Sequence, residues 1–70
     1  MEINVIGTNA GIVWNLLNEK KSAEVAELQK ESGLSAAEFW AAIGWLSREE
    51  KLVYTAEKVG RKTIKKYTLA

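Results

Sequence analysis

Apolar residues recur at helical spacing over two stretches of the chain and alternate with polar ones over a third. In the first, AGIVWNLLN at residues 10–18, Ile12, Val13, Leu16 and Leu17 make a stripe. At about 100° per residue, Ala10 and Trp14 widen that stripe to roughly 200° of arc. One core face needs less, so Trp14 stands either at the rim of the core or at a contact with a second molecule. Upstream, Ile3, Val5 and Ile6 fit a short strand or a tucked arm, and Thr8 or Asn9 can cap the helix.

NEKKS at residues 18–22 breaks the pattern. Lys20 to Ala23 can run extended as a short strand. Ser22, followed by Ala23 and Glu24, has the chemistry of a cap on a second helix, from which Val25 and Leu28 point inward. That helix is expected to end at Ser32-Gly33, with Gly33 in the left-handed position and Leu34 as the buried residue of the turn. Ser35-Ala36-Ala37-Glu38 then reads as a capping box. On the third helix Phe39, Ile43 and Leu46 fall within about 40° of one another, with Ala42 beside them, and form the inward face. Opposite lie Ala37, Ala41, Gly44 and Arg48. Beyond Leu52, VYTAEKVGRKTIKKYTL alternates branched, aromatic and polar residues around Gly60 and predicts a β-hairpin with a basic tip.

The composition changes this picture in three ways. With 70 residues and no Cys or His, the chain fits one domain over 1–70 that buries only about 60% of its unfolded surface. No disulfide or conventional metal site can reinforce it, so a homodimer is the remaining stabilising device. All nine acidic residues are Glu, which leaves nothing for a triad, a thiolate nucleophile or a metal-activated water, so no enzyme and no cofactor are expected. No small-molecule pocket is legible. No apolar run approaches the roughly 18 residues of a membrane span, and Met1-Glu2 begins no signal peptide, so a cytoplasmic location is expected.

Charge is polarised along the chain. Residues 1–50 carry four basic against eight acidic side chains, whereas residues 51–70 carry Lys51, Lys58, Arg61, Lys62, Lys65 and Lys66 against Glu57 alone. Such a basic segment is either an electrostatic footprint for nucleic acid or a charged hairpin that blocks edge-to-edge aggregation.

VAELQKESGLSAAEFWAAIGWLSREEKLVY, residues 25–54, resembles the winged helix-turn-helix of many bacterial regulators. The residues that carry the likeness are Val25, Leu28, Gly33, Leu34, Ser35, Phe39, Leu46, Leu52 and Val53. With AGIVWNLLN included, the whole chain is similar to a small family of stand-alone winged helix-turn-helix proteins, chiefly of gut Bacteroidetes, catalogued as a domain of unknown function. The resemblance implies an α+β, mainly α, fold of three helices and a C-terminal two- or three-stranded antiparallel wing. It also implies dimers and, through the regulators, DNA binding and transcription regulation. The chain departs from the pattern at Lys51, where the leader into the wing often has Gly. It departs again on the outer face of the third helix, where Ser35, Ala36, Ala37, Trp40, Ala41 and Gly44 offer few groups to base edges, and only Arg48 is a strong donor.

Two functional readings follow. In one, Lys58, Arg61, Lys62, Lys65 and Lys66, with Arg48 and the amides near Ser35, hold the phosphates of double-stranded DNA. Neutralising about four phosphates would give a slope of log K against log salt of roughly −3.6. In the other, Ala37, Ala41 and Gly44 form a shallow furrow walled by Trp40 and Trp45, a surface for another helix and most simply for a second copy. Trp14 offers an alternative dimer contact. Trp45 can instead pack on the first helix or the wing, and Trp40 can belong to the core.

Overall fold

The computed structural model describes residues 1–70. The elements are α1 (Ile3–Lys20), β1 (Ser22–Glu24), α2 (Val25–Ser32), α3 (Ala36–Arg48), β2 (Leu52–Val59) and β3 (Lys62–Leu69). The strands form one antiparallel sheet in the order β1-β3-β2. This is the expected winged helix-turn-helix, with a three-stranded wing.

The first helix starts earlier than its polar residues suggest. It begins at Ile3, so there is no N-terminal strand or arm, and neither Thr8 nor Asn9 is a cap. The extended residue before the first turn is Glu2, whose carbonyl accepts from Val5 and Ile6 N–H at 3.1 Å. Thr8 is accommodated inside the helix because its hydroxyl donates to the Asn4 carbonyl at 2.9 Å, and Asn9 is buried. Once the docked turns from Ala10 to Leu17 have nucleated a helix, extending it upstream costs little. Its buried line is Asn9, Ala10, Val13 and Leu17. Leu16 is half-buried, and Ile12 and Trp14 flank the line in partial exposure.

Ser22 likewise is not a cap. It opens β1, where Ser22, Ala23 and Glu24 pair with Thr68, Tyr67 and Lys66. Ala23 is buried beside Tyr67, so three residues of ladder and one buried methyl outweigh a cap bond worth about 1 kcal/mol. The chain turns into this strand at Lys21, which has φ +70 and donates its N–H to Leu17 O at 2.7 Å. Lys20 Nζ lies 2.6 Å from Glu31 and ties the end of α1 to α2.

The helix-turn-helix follows the sequence closely. Gly33 sits in the left-handed region at φ +70, ψ +7. Ser32 Oγ donates to Gln29 O and accepts from Leu34 N–H, which stiffens the turn. Leu34 is half-buried against the core. Both halves of the capping box are present, with Glu38 N–H donating to Ser35 Oγ at 3.2 Å and Ser35 N–H donating to Glu38 Oε1 at 3.0 Å. Phe39, Ala42, Ile43 and Leu46 all face inward. They join Ala10, Val13, Leu17, Leu28, Ala23 and Tyr67 in one core; Ala23 and Tyr67 are its buried residues from the sheet, and Leu52 and Leu69 pack against it in partial burial.

At the end of α3 the left-handed residue is Glu50, at φ +58, one position before the Lys51 singled out by family likeness. Lys51 N–H donates to Leu46 O and Glu50 N–H to Ser47 O, the paired bonds of a Schellman ending. An L-residue with a Cβ pays about 1–2 kcal/mol in this conformation, and glycine does not. Glu50→Gly is therefore expected to stabilise the protein by about 0.5–1 kcal/mol, after the entropy it returns to the unfolded chain. A raised urea midpoint at unchanged m-value would show it, and a lowered midpoint would mean the Glu side chain contributes more than its backbone costs.

Candidate nucleic-acid interface

The wing stands off the body. Residues 53–63 are all exposed, and the two-residue loop between the paired Val59 and Lys62 has a positive φ at Gly60 only, the pattern of a type II′ turn. Side chains alternate along each strand and directly paired residues share a face. The register therefore divides the basic residues. Lys58 (opposite Thr63) and Lys65 (opposite Ala56) lie on the face that carries Tyr67, whereas Lys62 (opposite Val59) and Lys66 (opposite Thr55) lie on the reverse. Arg61 is at the tip. The five residues taken together from the sequence thus flank the ribbon on both sides.

These charges are free. The two ion pairs in the structure are Lys20–Glu31 and Lys51–Glu49, so Arg48, Lys58, Arg61, Lys62, Lys65 and Lys66 have no carboxylate partner. Ser35 differs from them, because both its hydroxyl and its N–H are committed to the capping box. The Glu38 carboxylate, held below the usual glutamate range by those Ser35 bonds, stands over the first turn of α3. An anion approaching the helix N-terminus meets that negative charge. A carboxyl with a depressed folded-state pKa stabilises fully above its unfolded value and loses that contribution as the pH falls through the folded one. The cap is therefore intact at neutral pH.

The helical residues expected to meet a partner do not form one surface. Trp40, about half exposed, lies edge-on to Phe39 with ring centroids 5.1 Å apart and planes at 79°. It faces a cleft of about 650 Å³ between α2 and β3, which Lys62 and Lys65 also line. Trp45 turns the other way, into a groove of about 380 Å³ against Gly7, Gly11 and Trp14 of α1. Ala37 and Gly44 are exposed and Ala41 half-buried on the strip between. Trp14 and Trp40 thus belong to different grooves, and the strip is not a furrow between two facing indoles. A wheel angle gives the direction of each indole from the α3 axis; α2, β3 and α1 decide what each one meets.

The sequence suggests a charged edge at the hairpin but not which strand forms it. β2 is an outer strand eight residues long, and Val53, Tyr54 and Val59 are exposed along it. Tyr54 stacks at a tilt on Tyr67, centroids 5.4 Å apart, and burial with the neighbouring Tyr54 pushes the Tyr67 hydroxyl pKa up. The missing signal was topological: β1 pairs with β3, so β3 becomes central and β2 is left at the edge. No helix is long and apolar enough to cross a membrane.

A family model described as a winged helix-turn-helix domain (DUF2582) matches residues 1–66. Among solved structures, the chain is similar to the solution NMR structure of protein BT2368 from Bacteroides thetaiotaomicron, with 35% identity and a TM-score of 0.76 over 97% of this chain and 79% of that one. No curated protein matches the chain.

Proposed function

Since the chain belongs to the winged helix-turn-helix domain family DUF2582, we propose that residues 1–70 act as one DNA-binding unit that grips phosphates with its wing and reads bases weakly. The observation that carries this reading is the set of unpaired cations on the ribbon, Lys58, Arg61, Lys62, Lys65 and Lys66, with Arg48 at the end of α3. They stand on a projecting, exposed hairpin with cations on both faces, a shape that can follow a phosphate backbone. The outer strip of α3 is Ala and Gly and lacks the donors that distinguish base pairs in the major groove. The role is one of binding rather than catalysis, and transcription regulation in the cytoplasm is the biological setting that this chemistry suits.

Titration of a generic duplex at a series of salt concentrations tests the proposal. Binding should weaken with salt at a slope of roughly −3.6 for about four phosphates per protomer. Lys58→Gln/Lys65→Gln and Lys62→Gln/Lys66→Gln should each flatten the slope by about 2 if both faces of the ribbon touch DNA. If only one pair does so, only one face is used; absence of salt-dependent binding at micromolar wild-type protein overturns the reading.

A homodimer through β2 is the second proposal, favoured by that strand's open edge. An unpaired strand of this length is a template for another strand. A two-fold axis normal to the sheet at Ala56 sets Val53 opposite Val59, Tyr54 opposite Lys58 and Thr55 opposite Glu57 of a second copy, with no like charges directly opposed. Such a dimer leaves the cations of β3 free. Val53→Lys/Val59→Lys should then run as a monomer in light scattering, and Val53→Lys/Val59→Glu should recover the dimer. Equal mass for wild type and both variants would exclude this edge as the interface.

A further inference from the structure

We propose that the cleft between the wing and the helix-turn-helix takes an unpaired nucleobase with its phosphate, so that single-stranded nucleic acid is bound in preference to duplex. The inference rests on the nucleic-acid reading above and names the ligand's form. Three kinds of group meet in the cleft. Trp40 offers a half-exposed indole, whose tilt is held by its edge-on packing against the fully buried Phe39. Lys62 and Lys65, from opposite faces of β3, bring two cations without carboxylate partners to one side. Gln29 and Glu24 supply an amide and a carboxylate on the α2 and β1 side.

This combination matches the parts of a nucleotide. A flat aromatic face stacks on any base, and cations beside it hold the backbone, the arrangement used for single strands. Glu24 repels a phosphate, so it sets the orientation: the backbone runs along Lys62 and Lys65, and the base edge, with its amino and imino donors, turns toward Gln29 and Glu24. At about 650 Å³ the cleft lies within the range of small-ligand sites and has room for a nucleotide. In a duplex every base is already stacked on both faces, so Trp40 has no ring to meet there. An exposed indole beside two free lysines is thus idle against double-stranded DNA and used by an unpaired base.

The test compares fluorescently labelled sixteen-nucleotide single strands of DNA and of RNA with a blunt hairpin of about eight base pairs, closed by a non-nucleotide linker so that it has no unpaired base and about equal charge, at one salt concentration. The proteins are wild type, Trp40→Phe and Trp40→Leu, with thermal melts to confirm folding. Wild type should bind single strands more tightly than the hairpin. Trp40→Leu should lose about tenfold or more on single strands, the scale of one lost base stack, and stay within about twofold on the hairpin. Trp40→Phe, which keeps a flat ring, should fall between. Equal binding of the DNA and RNA strands assigns the affinity to base and phosphate, and a preference for RNA adds the 2′-hydroxyl as a recognised group. Single-strand binding by Trp40→Leu equal to wild type, or a wild-type preference for the hairpin, overturns the inference and leaves the phosphate-binding reading standing. Loss of all salt-dependent binding removes both.

Discussion

Phe39→Ala is expected to lower the stability of the fold by about 3–5 kcal/mol. Phe39 is fully buried, as are Val13, Leu17 and Leu28, and it is the largest of the fully buried side chains in a core of ten residues. Deleting a buried aromatic side chain costs about 3–5 kcal/mol, because the transfer energy is lost and a cavity remains. A 70-residue chain has only about 4–10 kcal/mol in total, at roughly 0.05–0.15 kcal/mol per residue. One substitution therefore removes a third of the stability or more, and at the lower end nearly all of it. Phe39→Leu keeps most of the volume and should cost far less, about 1–1.5 kcal/mol. Far-UV ellipticity and amide chemical-shift dispersion report the result. A cooperative melt of Phe39→Ala within about 5 °C of wild type would correspond to a loss of only about 1 kcal/mol and would mean that the core does not depend on this ring. The functional consequence is direct, since Phe39 also supports the ring of Trp40 in the candidate cleft.

The parts of the fold that were legible in the sequence are those fixed by neighbours within one or two turns. Ser35 and Glu38 specify the start of α3 by bonding each other's backbone, and Phe39, Ile43 and Leu46 specify its buried face by spacing alone. Gly33 marks the one conformation that suits it. The hairpin announces itself by alternation around Gly60. What escaped depends on distant partners. The sequence predicts a short strand over residues 20–23, but its limits, Ser22–Glu24, are set by pairing with Thr68, Tyr67 and Lys66, more than forty positions away, where Ser22 by itself has the chemistry of a cap. The left-handed residue after α3 is a glutamate, held there by the bonds to Leu46 and Ser47 rather than by its own preference.

The candidate site divides in the same way. That the wing is basic follows from composition. That Lys58 and Lys65 oppose Lys62 and Lys66 across the ribbon follows from a period of two, but only once the strand limits and register are known. The grouping of Trp40 with Lys62 and Lys65 has no signature in the chain, because it joins α3 to a strand more than twenty residues later. Wheel geometry placed Trp40 and Trp45 on either side of α3 and had no means of showing that α1 would claim one while α2 and β3 claimed the other.

Asn9 is where the local signal and the packed structure disagree most, and its replacement carries the second large expected effect. A polar residue just before an apolar stripe has the chemistry of a helix cap; here it lies inside α1 and is 7% exposed, with its Nδ2 bonded to no other protein group. An unsatisfied buried donor costs about 1–3 kcal/mol. Leu has the same branched outline and number of side-chain heavy atoms as Asn, though its methyls are bulkier than the amide; it removes the donor, adds apolar burial and favours the helix by a few tenths of a kcal/mol. Overpacking opposes this by about 1–3 kcal/mol where a site cannot give. Because Asn9 retains some exposure at the edge of the core, the favourable terms should win: Asn9→Leu is expected to stabilise the protein by about 1–2 kcal/mol, or roughly 5–10 °C in Tm. Asn9→Ala separates the two effects, since it removes the amide without asking for space. A rise with Ala and a fall with Leu would assign the site to tight packing. A fall with both would show that the amide contributes more to the native state than its burial costs.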